Sequence, residues 1–413
     1  MMNAIRKAGT LILISYFFSQ GTRLAGNLIT ARLLAPEMFG VMAVILVIQQ
    51  GVMMLSDVGL DAYIIRHKNY TDPIILNIVW TVQVLRGIFL AIVTAVLAGT
   101  LWFLQSSELT NHWGALANDS LPLLLLVSTL NPLMLGMKSL ARLVKTRELN
   151  RLKLEILDAI SQLIGTTVMI VWALYYPSVW ALAVAAPITI FISVILSYSM
   201  FEIRHSFHFD KKVFSEIYQF GKWIFIATAL TYFSQQGDRL FLSVSISEAE
   251  LGLYSIALAL VGFATMFVQR IAAQLWLPVF STKATDEQSL KKNYYRVRIV
   301  QDLAVGAFVL LATYFANNVI DILYDERYRD VTWMLQLAVV TVLAVSIRQA
   351  SKVLLVALGE TKVQMQSMFV NLISLIILMP IMFSFYHLKG LIVATVISNF
   401  IAVIPQYRTM YIL

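Results

Sequence analysis

The chain has 413 residues, of which 59% are hydrophobic and 13% charged, with a mean hydropathy of +0.77. That charged fraction is about half the roughly 25% of soluble domains, which excludes an ordinary soluble enzyme or binding module. The absence of cysteine excludes disulfides, thiolate metal sites and a cysteine nucleophile, and the net charge of +8 has to be read by its placement before it implies any partner.

In chain order, the N-terminal Met1-Met-Asn-Ala-Ile-Arg-Lys runs into a long apolar segment without a small-residue cleavage site, and is read as the first transmembrane helix. Spans need about 20 mainly apolar residues. Twelve are predicted, near 9–31, 39–64, 74–103, 120–144, 154–176, 178–201, 218–244, 251–278, 299–323, 332–357, 365–386 and 389–411. The fold class is therefore an all-α polytopic membrane protein. Prolines inside spans, at 132, 187, 380 and 405, mark expected kinks.

One stretch occurs twice. Ser15-Tyr-Phe-Phe-Ser-Gln-Gly-Thr-Arg-Leu returns as Thr231-Tyr-Phe-Ser-Gln-Gln-Gly-Asp-Arg-Leu, identical at six of ten positions. Downstream, Glu37-Met-Phe-Gly-Val-Met-Ala is echoed by Glu250-Leu-Gly-Leu-Tyr-Ser. The spacing is close to half the chain, so a duplicated six-span unit is expected. An even number of spans per copy relates the copies by an axis along the membrane normal, as in carriers. The predicted organisation is an N-terminal lobe at 1–203, a cytoplasmic linker at 204–218 and a C-terminal lobe at 219–413. Within 205–220, Phe207, Phe209, Phe214, Ile217 and Phe220 alternate with Lys211, Lys212 and Glu216, which reads as an amphipathic helix on the membrane surface.

Lysine and arginine set the orientation. Arg6, Lys7, Arg66, Lys68, the basic run at 138–153, Arg204, Lys211, Lys212, the run at 283–298, Lys352, Lys362 and Arg408 fall on one side. Only Arg32, Arg327, Arg329 and Lys389 fall on the other. Both termini are expected to be cytoplasmic, and the positive charge is topological rather than a nucleic-acid footprint.

Arg23, Arg86, Lys222, Arg239, Arg270 and Arg348 remain inside spans. Six such cations facing lipid would cost roughly 15 to 20 kcal/mol, more than the typical net stability of about 5–15 kcal/mol. Most must face water or a partner. Acids within spans are few: Asp57, Asp61, Asp238 and Asp158. Lys222, near the cytoplasmic end, can snorkel. An excess of buried cations attracts an anion, and the planar arginine fork suits phosphate.

Amides cluster near these charges: Gln20, Asn27, Gln49, Gln50, Gln83, Gln235, Gln236, Gln269, Gln274 and Gln349. As a cluster they suit a hydroxyl-rich ligand such as a sugar, while any single glutamine is better explained by bonding between helices. Candidate substrate contacts are Arg23, Arg86, Arg239, Arg270 and Arg348 with Gln20, Gln236 and Gln269. Asp57 and Asp61, four apart with Gly59 between them, are candidates for H⁺ or Na⁺ coupling. Equally, Asp57 caps a helix break at Gly59 or simply pairs with an arginine. No phosphate-binding loop, dinucleotide fingerprint or metal-ligand spacing occurs, and His205 and His208 lack acidic company. No cofactor and no enzymatic activity are expected.

Leu34-Ala-Pro-Glu-Met-Phe-Gly-Val-Met-Ala, Leu55-Ser-Asp-Val-Gly-Leu, Ile64-Ile-Arg, Arg147-Glu-Leu-Asn, Phe220-Gly-Lys-Trp and Glu250-Leu-Gly-Leu-Tyr-Ser, in this order and spacing, resemble bacterial polysaccharide and oligosaccharide flippases. These belong to the multidrug, oligosaccharidyl-lipid and polysaccharide exporter superfamily. The resemblance implies a MATE-like fold of two six-helix lobes around a central cavity, with alternating access. It also implies transfer of an undecaprenyl-diphosphate-linked glycan, an O-antigen, capsule or exopolysaccharide unit, to the outer leaflet of a bacterial inner membrane. Membrane lipid, a polysaccharide polymerase and a chain-length regulator are the partners it implies. Of the family's positions only Asp57, in Ser-Asp-x-Gly, carries over. The rival with the same fold is a cation-coupled multidrug exporter, which the basic excess disfavours. A polysaccharide polymerase or ligase would need a sizeable extracytoplasmic loop between spans.

Overall fold

The computed structural model describes residues 2–107, 112–148, 152–272, 276, 287–357 and 361–407. Every regular element in them is helical. Packing separates two compact units, one of residues 1–229 with 243–248, the other of residues 230–242 with 249–413.

The first unit begins with α1 (Met2–Leu33) and α2 (Pro36–Met54). Pro36 opens α2 where its missing N–H costs nothing, and Glu37 faces the positive helix end. α2 stops at a turn in which the Asp57 carboxylate accepts the Gly59 N–H at 2.9 Å and Gly59 takes φ 67, a left-handed conformation suited to glycine. The chain resumes as α3 (Leu60–Arg66). Asp72 caps α4 (Pro73–Ser106) by accepting the Ile74 N–H at 2.9 Å.

The next span is broken into α5 (Leu121–Ser128), α6 (Leu130–Met137) and α7 (Ala141–Arg147), the last bent by 55° from the others. Pro132 has no N–H to give the carbonyl four residues back. Gln49 takes over that role, donating to the Ser128 carbonyl at 2.9 Å and accepting from Asn131 at 3.1 Å. Gln83 does the same at the end of α6, donating to the carbonyls of Leu135, Gly136 and Lys138 at 3.2, 2.9 and 2.9 Å. These two glutamines are the internal adhesive of the unit. α8 (Leu152–Tyr175) packs on α1 and on α9 (Val179–Ser199).

After α9, residues 201–210 form no regular element, and Asp210 caps the next helix by accepting the N–H groups of Lys212 and Val213. The helix expected over 205–220 is thus the start of α10 (Lys211–Ser245). This segment lies along α4. Ser206 exchanges two 3.0 Å bonds with Asn77, the His208 N–H donates to Thr81 at 3.0 Å, and the His205 ring stacks on Trp80 at 5.6 Å. Nε2 of His205 accepts the Leu140 N–H at 3.1 Å, and its buried Nδ1 has no hydrogen-bond partner.

Burial lowers the His205 pKa from 6.5 to about 4. The docked ring is neutral, so docking is at full strength above pH about 6.5 and weakens as pH falls toward 4. Protease cleavage within 201–210 is expected to rise over that window in wild type, with no such pH dependence in His205→Gln.

α10 leaves the first unit after Ala229 and rejoins it at Ser243. The expected boundary lies in the linker; packing divides the chain inside this helix instead, because Ile217 and Phe220 pack with Leu60, Tyr63 and Leu143. The second unit holds α11 (Glu248–Ile271) from Ala249 onward, α12 (Glu287–Tyr314), α13 (Ala316–Leu323), α14 (Val331–Ala338), α15 (Val340–Ala357) and α16 (Thr361–Ile401).

Among the described residues eight helices are long and apolar enough to cross a membrane, nine with the bent α5–α7 counted once. α16 carries both final predicted spans, separated at His387, whose φ is 48. α1 and α10 coincide with the first and seventh predicted spans, and Arg23 in one and Lys222, Asp238 and Arg239 in the other interrupt their apolar course. Exposed aromatic pairs sit where spans end, at Trp102 and Phe103, Tyr175 and Tyr176, Tyr314 and Phe315, and Phe385 and Tyr386. That is the position of an interfacial belt. The chain is an all-α, multi-pass membrane protein.

Candidate functional site

The duplicated stretch has two different environments. In α1, Gln20 is half-buried and Arg23 is exposed, without a hydrogen bond or ion pair among the described residues. In α10, the Arg239 guanidinium donates to Gln236 at 3.2 Å. Beside it, the buried Asp238 carboxylate accepts the Arg239 N–H at 2.8 Å and the hydroxyl of the fully buried Tyr254 at 2.5 Å. Thr22 stands where Asp238 does in the other copy, so only the second copy has a carboxylate next to its arginine in sequence. Tyr254→Phe should leave one Asp238 oxygen without its donor. We expect a loss of about 1–3 kcal/mol of stability, read as a lower melting temperature.

Arg86 is held by the α2 break. Its Nη2 donates to the Met53 carbonyl at 2.8 Å and to Ser56 Oγ at 3.1 Å, and its Nε to Ser56 at 3.3 Å. Asp57 and Asp61 both act on it electrostatically. The guanidinium therefore closes a freed helix C-terminus, where cations are favoured. Asp57 caps the break, while Asp61 lies exposed in the first turn of α3. In the second unit Gln269 is exposed and Arg270 half-buried at the end of α11. Lys222 is exposed. Gln274, Lys283 and Arg408 lie outside the described residues.

Arg348 differs from these. It is half-buried in the middle of α15, and neither a hydrogen bond nor a carboxylate reaches it among the described residues. Its electrostatic neighbour is a second cation, Lys352, one turn along the same helix and likewise without an acid. By contrast, Arg298 on α12 pairs with Asp302 at 3.2 Å, and Arg142 pairs with Asp158 at 2.9 Å. Arg348 and Lys352 are thus adjacent, half-buried cations with no carboxylate beside them among the described residues; arginine offers a planar donor fork and lysine a point charge.

In sequence, Lys352 reads as one of the topological charges on the cytoplasmic side. Its spacing of four from Arg348 was the signal that joins them.

A model of the family described as "Polysaccharide biosynthesis protein" matches residues 29–333. A protein named "Lipopolysaccharide biosynthesis protein WzxC", from Escherichia coli (strain K12), is 23% identical over 323 residues. The alignment covers 77% of this chain and 62% of that protein, so the chain spans under two thirds of its relative's length. Among solved structures, an inward-facing multidrug resistance MATE family transporter of the MOP superfamily superposes with a TM-score of 0.74 at 13% identity, covering 98% of this chain and 97% of that one. The lipid II flippase MurJ in an inward closed conformation gives 0.70 at 14% identity, covering 97% and 87%. At these identities the likeness is one of fold.

Proposed function

Because the chain belongs to the polysaccharide biosynthesis protein family, we propose that it carries a lipid-linked anionic glycan across the membrane, with Arg348 and Lys352 of α15 holding the charged headgroup. The observation that carries this reading is the Arg348–Lys352 cation pair, with no carboxylate beside it among the described residues. Each such charge within a span costs roughly 2.5–3.5 kcal/mol, and that cost is recovered when a diphosphate or acidic sugar supplies the counter-charge. Arg23 and Arg270 are further contacts for the anion, and Gln20 and Gln269 for sugar hydroxyls. Arg239 and Gln236, bonded to each other beside Asp238, and Arg86, bonded to Met53 and Ser56, act mainly within the protein.

The headgroup is that of undecaprenyl diphosphate, the membrane is the bacterial inner membrane with both chain termini cytoplasmic, and movement is from the inner to the outer leaflet. Coupling to H⁺ or Na⁺ falls to the exposed Asp61 rather than Asp57, whose carboxylate is occupied by the Gly59 N–H.

Outward movement of an anion across an inside-negative membrane is favourable by about 2.3 kcal/mol per charge per 100 mV. In proteoliposomes carrying a fluorescent undecaprenyl-diphosphate-linked sugar, an inside-negative potassium diffusion potential is therefore expected to accelerate outward flipping. A rate indifferent to both the potential and imposed ion gradients would reject electrogenic or ion-coupled carriage.

A further inference from the structure

α12 and α15 are joined by a continuous set of buried and half-buried polar contacts that brackets Arg348. Trp276 Nε1 donates to Gln301 Oε1 at 2.7 Å, which fixes the amide so that its Nε2 donates to the Ser346 carbonyl at 3.1 Å and to Ser346 Oγ at 2.9 Å. Ser346 Oγ donates to Asp302 at 3.4 Å, and the same carboxylate accepts Arg298 Nε at 3.2 Å. The Arg298 guanidinium stacks over the Tyr407 ring at 4.4 Å and donates to the Tyr294 hydroxyl at 3.3 Å. That hydroxyl meets Ser351 Oγ at 3.1 Å, and Ser351 Oγ donates to the Ile347 carbonyl at 3.3 Å.

The protons are consistent in one direction only. Tyr294 accepts from Arg298 and so donates to Ser351, which keeps its own proton for Ile347. Ser346 and Ser351 are 0% exposed and Tyr294 3%, so breaking these bonds leaves buried polar atoms without water.

The two clamps fix the rotation of α15. At about 100° per residue, Ser346 and Ser351 lie about 140° apart, and the direction midway between them faces α12. Arg348 then points about 130° away from that direction and Lys352 about 170° away. A helix held at both serines presents both cations on the side opposite α12, about 40° apart. Released at either serine, it is free to turn, and the two charges no longer share one ligand.

Resting on the anion-site reading above, we propose that Gln301 and Tyr294 are positioning residues for Arg348 and Lys352, holding the register of α15 through Ser346 and Ser351. They touch no substrate; they set the direction of the groups that do.

The test is a double-mutant cycle on the affinity of the detergent-purified chain for inorganic pyrophosphate, with the melting temperature followed separately. Gln301→Leu is expected to weaken pyrophosphate binding about tenfold in the wild-type background. In the Arg348→Ala background it should have little further effect. Tyr294→Phe, which keeps the ring and removes one hydroxyl, should repeat the pattern more weakly and serves if Gln301→Leu does not fold.

Equal weakening in both backgrounds, or a melting shift without any change in affinity, would overturn the positioning role. If Arg348→Ala,Lys352→Ala binds pyrophosphate as wild type does, the anion site itself falls. If that variant loses binding while Gln301→Leu and Tyr294→Phe retain it, only the positioning role falls.

Discussion

Replacing Arg348 and Lys352 together by alanine is expected to abolish glycan export in cells while leaving the protein as stable as before, or more so. The opposite signs follow from the same fact. Among the described residues neither cation has an acidic partner, so removing them relieves desolvated, mutually repelling charge. With an anion bound, each contributes a charge-assisted hydrogen bond of about 1.5–3 kcal/mol. Losing both weakens binding by about 3–6 kcal/mol, on the order of 10²–10⁴-fold. Arg348→Ala or Lys352→Ala alone should fall between these limits. Membrane-fraction abundance and melting temperature check the stability arm, and surface glycan the functional one. Export at wild-type level with the double variant folded would reject the assignment.

The largest stability effect is expected at Gly40. A Cβ there would run into the Glu248 backbone carbonyl, and backbone cannot move aside as a flexible side chain can. Glu248 is itself anchored, accepting from Asn118 at 2.9 Å, and next to it the Ala115 N–H donates to the Ile246 carbonyl at 2.9 Å. Gly40→Val must separate these segments and is expected to cost about 1–3 kcal/mol or more. Gly99 is the internal control, since a Cβ there meets nothing within 4 Å. Gly99→Ala should be neutral or stabilising by about 0.5–1 kcal/mol from helix preference. Equal melting temperatures for the two variants would contradict the close approach at Gly40.

Much of the fold is legible in composition and periodicity, because a span needs only length and apolarity. The break after α2 is also legible, since Asp57-Val58-Gly59 combines a capping acid with a residue suited to positive φ. The site is less so, because side-chain partners depend on which helices meet.

Arg86 looks like a stray charge until the α2 break exposes the Met53 carbonyl beside it. Gln49 looks like a sugar contact until Pro132 leaves the Ser128 carbonyl unfilled on a neighbouring helix. The repeated Gln-Gly-x-Arg stretch gives no hint that Arg23 is exposed while Arg239 bonds to its own Gln236, because the same residues meet different neighbours in the two copies. Lys352 counts among the charges of one membrane side in the orientation rule, which is blind to the side of the helix on which a charge lies. The Gln301–Ser346 and Tyr294–Ser351 clamps join residues 45 and 57 positions apart, with no motif to announce them.

The most direct test is the flipping rate of an undecaprenyl-diphosphate-linked sugar in proteoliposomes holding equal amounts of wild type and Arg348→Ala,Lys352→Ala. The cation pair as headgroup grip predicts outward transfer by wild type and background leakage by the variant. Equal transfer by both would contradict it.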